Sequence, residues 1–168
     1  MKFLPLLILL FLASCAAQQG TEQADTTPVR IDREGSPILK GVKIPAGADL
    51  FISSGQVAAV ANDSLPDSDV MRYGGYTLTQ SRSTLQKIEG ILQEAGLQMQ
   101  DVVAMTVYLA PDPNNGDRLD FAAWSEAYSE YFNNPETNPN KVARTTIGVA
   151  SLARQGLLVE VEVIAVYP

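Results

Sequence analysis

Residues 157–167 read Leu-Leu-Val-Glu-Val-Glu-Val-Ile-Ala-Val-Tyr. The run alternates with a period of two, which is the period of a strand with distinct faces. Val159, Val161 and Val163 fall on one side, and Glu160, Glu162 and Ile164 on the other. It is the longest strand the chain predicts. Working back from it, Val142–Val149 and Val102–Leu109 are short and rich in β-formers, so each reads as a strand. Between those two strands, Phe121, Trp124, Tyr128 and Tyr131 recur at helical intervals and predict a helix over 118–132, its aromatic stripe packed against a sheet. The turn cluster Pro111–Gly116 precedes it and the polar loop 133–141 follows it.

An earlier helix carries Leu78, Leu85, Ile88, Ile91, Leu92 and Ala95 on one stripe. Thr77 or Thr79 fits its start, and Gly96 fits its stop. Residues 61–76 hold Asn62, Asp63, Pro66, Asp67, Gly74 and Gly75 and predict a long loop. Before it, Leu50–Ile52 is a strand leading into Ser53-Ser54-Gly55-Gln56, and Ile38–Ile44 is a strand ending at the turn 45–48. The order β-β-α-β-α-β-β predicts an α+β fold, a single mixed sheet with two helices packed on one face. The other face would carry Leu158, Ile164 and Val166 beside the two glutamates. Such a face is left open in a single chain, which predicts a symmetric oligomer.

Composition narrows the chemistry. The chain has 168 residues, no histidine and one cysteine, so His-dependent triads, His-ligated metals, Cys-clustered zinc and an internal disulfide are all excluded. The sequence calls for no cofactor. A formal charge of −7 opposes binding to a phosphate backbone, so nucleic acid is not an expected partner.

The N-terminus reads as an address. One lysine precedes the apolar run 3–13, which is too short for the about 20 residues of a bilayer span and suits a signal peptide. It ends in Leu12-Ala13-Ser14-Cys15, which resembles a bacterial lipobox. The expected division is a lipoprotein signal peptide over 1–14, a lipidated Cys15 with a flexible tether over 15–30, and a folded domain over 31–168. Ala16, not Asp, follows the cysteine, which by resemblance to known sorting signals favours the periplasmic face of the outer membrane.

Arg144 stands in an otherwise apolar and hydroxylated strand. Its guanidinium stays charged, and its fork matches a carboxylate with two hydrogen bonds. A bound small acid and an ion pair with a last-strand glutamate both fit that position. Thr146 follows on the same strand face.

Several segments together resemble one family. They are Ser54-Gly55-Gln56, a helix with Gln80, Leu85, Ile88, Leu92, Ala95 and Gly96, then Asp101-Val102-Val103 through Thr106-Val107-Tyr108-Leu109, then Ala143-Arg144, and last Val159 to Ala165. Their order and spacing resemble the Rid (YjgF, or L-PSP) family over about residues 36–167. The resemblance implies a chorismate-mutase-like fold and a homotrimer with clefts between subunits. It implies hydrolysis of small imine or enamine acids to 2-oxo acids and ammonia, without a cofactor. Arg144 would clamp the substrate carboxylate and Glu160 would orient or deprotonate the attacking water. A carboxylate held in such a cleft suits general-base work. Ser54, Gly55, Gln56, Ser125, Thr146 and Ile38 would line the cleft. Ile38 stands where the family pattern has tyrosine, Ser125 where it has asparagine, and Val142 where proline is common. The loop after Gln56 is several residues longer than in short members. A non-catalytic trimer that holds a carboxylate ligand or a protein partner is the alternative. Ribonuclease activity, suggested by the L-PSP name, is opposed by the charge and the missing histidine.

Overall fold

The computed structural model describes residues 25–168, which run β1 (Val29–Ile31), β2 (Gly41–Lys43), β3 (Leu50–Ile52), β4 (Gln56–Val57), α1 (Thr77–Glu94), β5 (Val102–Leu109), α2 (Phe121–Tyr131), β6 (Ala143–Gly148) and β7 (Val159–Val166). The stretch expected to be a signal peptide, Cys15 and most of the expected tether lie outside the described residues. One mixed sheet has the order β3-β7-β5-β6, with β4 also paired to β7. Only β5 and β6 are parallel, joined across α2 as a parallel pair requires.

Both helices cover the same face. Leu85, Ile88 and Leu92 from α1 and Trp124 and Tyr128 from α2 pack on Met105, Val107, Val159, Val161 and Val163. Val159, Val161 and Val163 of β7 are at most 1% exposed, while Glu160, Glu162 and Ile164 on the opposite face are only partly covered, as the alternation predicts. The second face is smaller than expected. Leu158 and Val166 are buried within the single chain. Leu158 precedes the alternating run, held by Gln80 and Ala110. Near the other end the β5–β7 register shifts between Val102 and Ala104, the extra residue lying in β5, and Val166 is only 3% exposed although it lies outside the helix-side core. Leu50, 45% exposed, Ile52, 69% exposed, and Ile147, 40% exposed, remain open beside Ile164.

The early strand is short and pairs elsewhere. Only Gly41–Lys43 of the expected 38–44 is strand, and its partner is β1 in a separate two-stranded ladder. Val29 and Arg30, read as the end of the tether, therefore belong to an ordered element. The Arg30 guanidinium fixes it there by donating to the carbonyls of Lys141 (2.6 Å), Gln100 (2.9 Å) and Val102 (3.0 Å).

Helix α1 ends as its sequence predicts and starts otherwise. Gly96 takes φ +75°, and Leu97 and Gly96 donate to the carbonyls of Leu92 and Gln93, the double closure of a Schellman stop. At the start neither Thr77 nor Thr79 caps the helix. The cap is Asp112, 35 residues away, whose Oδ2 accepts from the Thr77 backbone N–H at 2.8 Å and from its hydroxyl at 2.6 Å. Asp112→Ala is expected to lower unfolding stability by about 2 kcal/mol, measured by chemical denaturation. An unmoved midpoint would mean this carboxylate does not hold the helix.

The 58–76 loop is packed down. Tyr73, Ala58 and Leu157 form a small second core, and Gly156 donates to the Asp67 carbonyl at 2.9 Å. On α2 the buried aromatic positions are Trp124 and Tyr128, whereas Phe121 is 47% exposed.

Candidate functional site

Arg144 lies on β6, the edge strand, opposite Met105 of β5. Met105 is a core residue, so Arg144 faces the helices. Its guanidinium carbon sits 4.2 Å from the Tyr128 ring centroid and 5.9 Å from that of Trp124. The aromatic stripe therefore packs the core and also gives the cation a platform. The ring is held in place by its hydroxyl, which donates to the Pro37 carbonyl at 3.1 Å. Burial lowers the Arg144 pKa from its ordinary value and raises that of Tyr128.

The ion-pair reading of Arg144 does not hold. Among the described residues it has no carboxylate partner. The last-strand glutamates are on the other face of the sheet. Its Nη1 is buried without a hydrogen-bond partner, and so is the Thr146 hydroxyl two residues on. An unpartnered buried polar group costs about 1–3 kcal/mol. A carboxylate would satisfy both. Ile38 is close by, because Leu39 donates to the Val142 carbonyl at 3.0 Å. A cavity of 630 Å³ runs from Ile38, Lys40, Arg144 and Thr145 at β6 across the open face of the sheet to Glu162 of β7 and Ile52 of β3.

Glu160 belongs to a different place. It pairs with Val57 on one side and Tyr108 on the other. A hollow of 400 Å³ is walled there by Gly55, Val57, Tyr73, Lys87, Arg154 and Glu160. Gly55 has to be glycine for this arrangement, since a Cβ would overlap Oε1 of Glu160. Ser54 is exposed, and its carbonyl accepts from the Gln56 amide at 3.3 Å. The buried serine of this segment is Ser53, which the sequence did not single out. Its hydroxyl accepts from the Val163 N–H at 2.9 Å and locks β3 to β7. Ser125 is exposed on α2 and joins neither group.

The sequence-predicted residues thus form two half-sites. Ile38, Arg144 and Thr146 make one, and Gly55 and Glu160 the other, while Gln56, opposite the inward Val161, does not line the hollow. Arg144 and Glu160 are three positions apart along β5, two strands apart across the sheet and on opposite faces. That is about 10 Å along and about 10 Å across, too far for one small molecule within one chain. Lys87 and Arg154 were missed by the sequence reading, because each looks like an ordinary surface cation. Among the described residues no three acidic or cysteine side chains converge as a metal would require.

A family model described as endoribonuclease L-PSP matches residues 42–167. The chain is 40% identical over 86 residues to a RutC family protein of Pyrococcus abyssi, a match spanning 51% of this chain and 58% of that protein. It is 29% identical over 130 residues to the 2-iminobutanoate/2-iminopropanoate deaminase of Escherichia coli, covering 77% of this chain and 87% of the enzyme. Among solved structures, YyfB of the conserved Rid protein family from Yersinia pestis superposes with a TM-score of 0.61 at 27% identity, over 83% of this chain and 98% of that one.

Proposed function

This chain belongs to the endoribonuclease L-PSP (YjgF/Rid) family, and from that premise we propose that it hydrolyses small imine or enamine acids to 2-oxo acids and ammonia. The observation that carries the proposal is the half-buried, carboxylate-free Arg144 with its buried, unpartnered Nη1 beside the unpartnered Thr146 hydroxyl. Those two groups take the substrate carboxylate. The separation of Arg144 from Glu160 within one chain is met by a cyclic trimer in which Arg144 of one copy faces Glu160 of the next. The open face with Ile52, Ile147 and Ile164 supports such an assembly.

In that cleft the protonated imine carbon is already electrophilic. Glu160 accepts a proton from water as the water oxygen bonds to that carbon. The proton passes to the nitrogen, Glu160 takes the hydroxyl proton of the adduct as the C–N bond breaks and the carbonyl forms, and that last proton leaves with the ammonia as ammonium. Positioning does most of the work, which suits a site without histidine or thiol. Ile38 offers an apolar wall in place of a hydroxyl, and exposed Ser125 stays outside the described half-sites.

The test is a coupled assay on the full chain in detergent. An amino-acid oxidase generates imino acids in the presence of semicarbazide, and hydrolysis of the imine lowers semicarbazone formation. A drop is expected. No drop with any imine tested would overturn the enzyme reading in favour of a non-catalytic carboxylate-binding trimer.

The proposed location is the bacterial envelope, with Cys15 lipidated and the domain on the periplasmic face of the outer membrane. The Leu12-Ala13-Ser14-Cys15 run supports it. Cells fed a clickable fatty acid should label the wild-type protein and not Cys15→Ser. Equal labelling of both, or of neither, would remove the anchor.

A further inference from the structure

The hollow beside Glu160 carries more positive charge than hydrolysis of a simple imine needs. Lys87 projects from α1 and Arg154 from the loop before β7, so the two cations come from unrelated elements. They meet in a chain whose formal charge is −7. Lys87 uses one donor on the Val57 carbonyl at 3.0 Å and has no carboxylate partner among the described residues. Arg82 on the same helix shows what an ordinary surface cation does there, pairing with Glu126 and Glu130 of α2. Arg154 does have an acidic neighbour, Asp67, but shares it. The Asp67 carboxylate lies 2.9 Å from Arg72 and 3.5 Å from Arg154. One carboxylate between two guanidiniums leaves a positive charge over, and the looser partner is the one lining the hollow. The rest of the wall includes the apolar Val57, Val60 and Leu157, which suit methylene groups.

We infer that the substrate carries a second carboxylate, so that the chain takes imines of acidic amino acids, with the distal carboxylate seated between Lys87 and Arg154. This rests on the deaminase reading for its first carboxylate. With Arg144 supplied by the adjacent copy, three cations face three carboxylates, that of Glu160 and the two of the ligand. A monocarboxylate imine would leave Lys87 and Arg154 facing only Glu160.

The experiment compares the glutamate-derived 2-iminoglutarate with 2-iminobutanoate in the semicarbazide assay on the full chain. The kcat/KM ratio should favour the dicarboxylate by about tenfold or more, as one charge-assisted contact supports. Lys87→Gln and Arg154→Gln should each lower that ratio severalfold, through KM for the dicarboxylate. Hydrolysis without such a preference, or a ratio unmoved by both substitutions, overturns this inference and leaves the deaminase reading standing. If no imine is turned over, calorimetry with 2-oxoglutarate and 2-oxobutanoate decides the ligand class. Tighter binding of 2-oxoglutarate that weakens in both variants upholds the second-carboxylate seat. Equal binding of the two acids, or none, overturns it.

Discussion

Arg144→Ala should lower kcat/KM for a 2-imino acid at least a hundredfold, or about 3 kcal/mol of transition-state stabilisation. The reason is geometric. The guanidinium is the only cation resting on the Tyr128 ring among the described residues, and its Nη1 has no protein partner to lose. Removing it takes a carboxylate anchor away and leaves no new orphan, so the melting temperature should change little. That separates lost binding from lost folding. Arg144→Lys keeps the charge but not the fork or the stacked plane, and should recover only part of the loss.

A stronger form of the test uses two variants together. If each cleft takes Arg144 from one copy and Glu160 from another, Arg144→Ala and Glu160→Gln are both inactive alone. Co-assembled at equal ratio, about one interface in four keeps both residues, as a cyclic head-to-tail contact requires. About a quarter of wild-type activity should return. Undiminished hydrolysis by Arg144→Ala would end the mechanism. Failure of the mixture to recover activity would end the shared cleft.

The second large effect is on stability. Gln80→Leu should cost about 3–5 kcal/mol and lower the melting temperature by about 10 °C. Gln80 is fully buried. Its amide nitrogen donates to the carbonyls of Gly75 and Gly156, both at 2.8 Å, and its oxygen accepts from the Leu158 N–H at 2.9 Å. One side chain ties the end of the 58–76 loop, the loop before β7 and the entry to β7 to helix α1. Leucine fills similar space and orphans all three backbone groups. Gln80→Glu keeps the acceptor but sets a buried carboxyl group against the Gly75 and Gly156 carbonyls, so it should cost at least as much. A melt within 2 °C of wild type for Gln80→Leu would show that water replaces the clasp. The same clasp positions Arg154 and Tyr73, so the hollow beside Glu160 should loosen with it.

Much of the fold was legible because it follows from local periodicity. The valines of β7, the β-formers of β5 and the apolar stripe of α1 each announce their element at a fixed spacing. The misses share one cause. The first turns of α1 bury Thr77, Gln80, Ser81 and Thr84, which an apolar stripe does not count. Asp112 caps a helix 35 residues away, and Arg30 fixes β1 through carbonyls at least 70 residues away. Polar side chains declare such roles only through their partners, and the partners are distant in the chain.

For the site the division is similar. Arg144 drew notice from sequence because a guanidinium in a strand of small and hydroxylated residues is costly to bury without a reason. Gly55 and Glu160 stood out only through the family pattern. The exclusion of histidine chemistry, the two-helix α+β layer and the inward valines were determined by the sequence alone, since composition and period act residue by residue. Which face each strand gives to the helices, that Arg144 and Glu160 fall on opposite sides of the sheet, and that Lys87 and Arg154 meet beside Glu160 were decided only by the tertiary structure. Strand order and register are set by the packing of the whole chain, and no local spacing carries them.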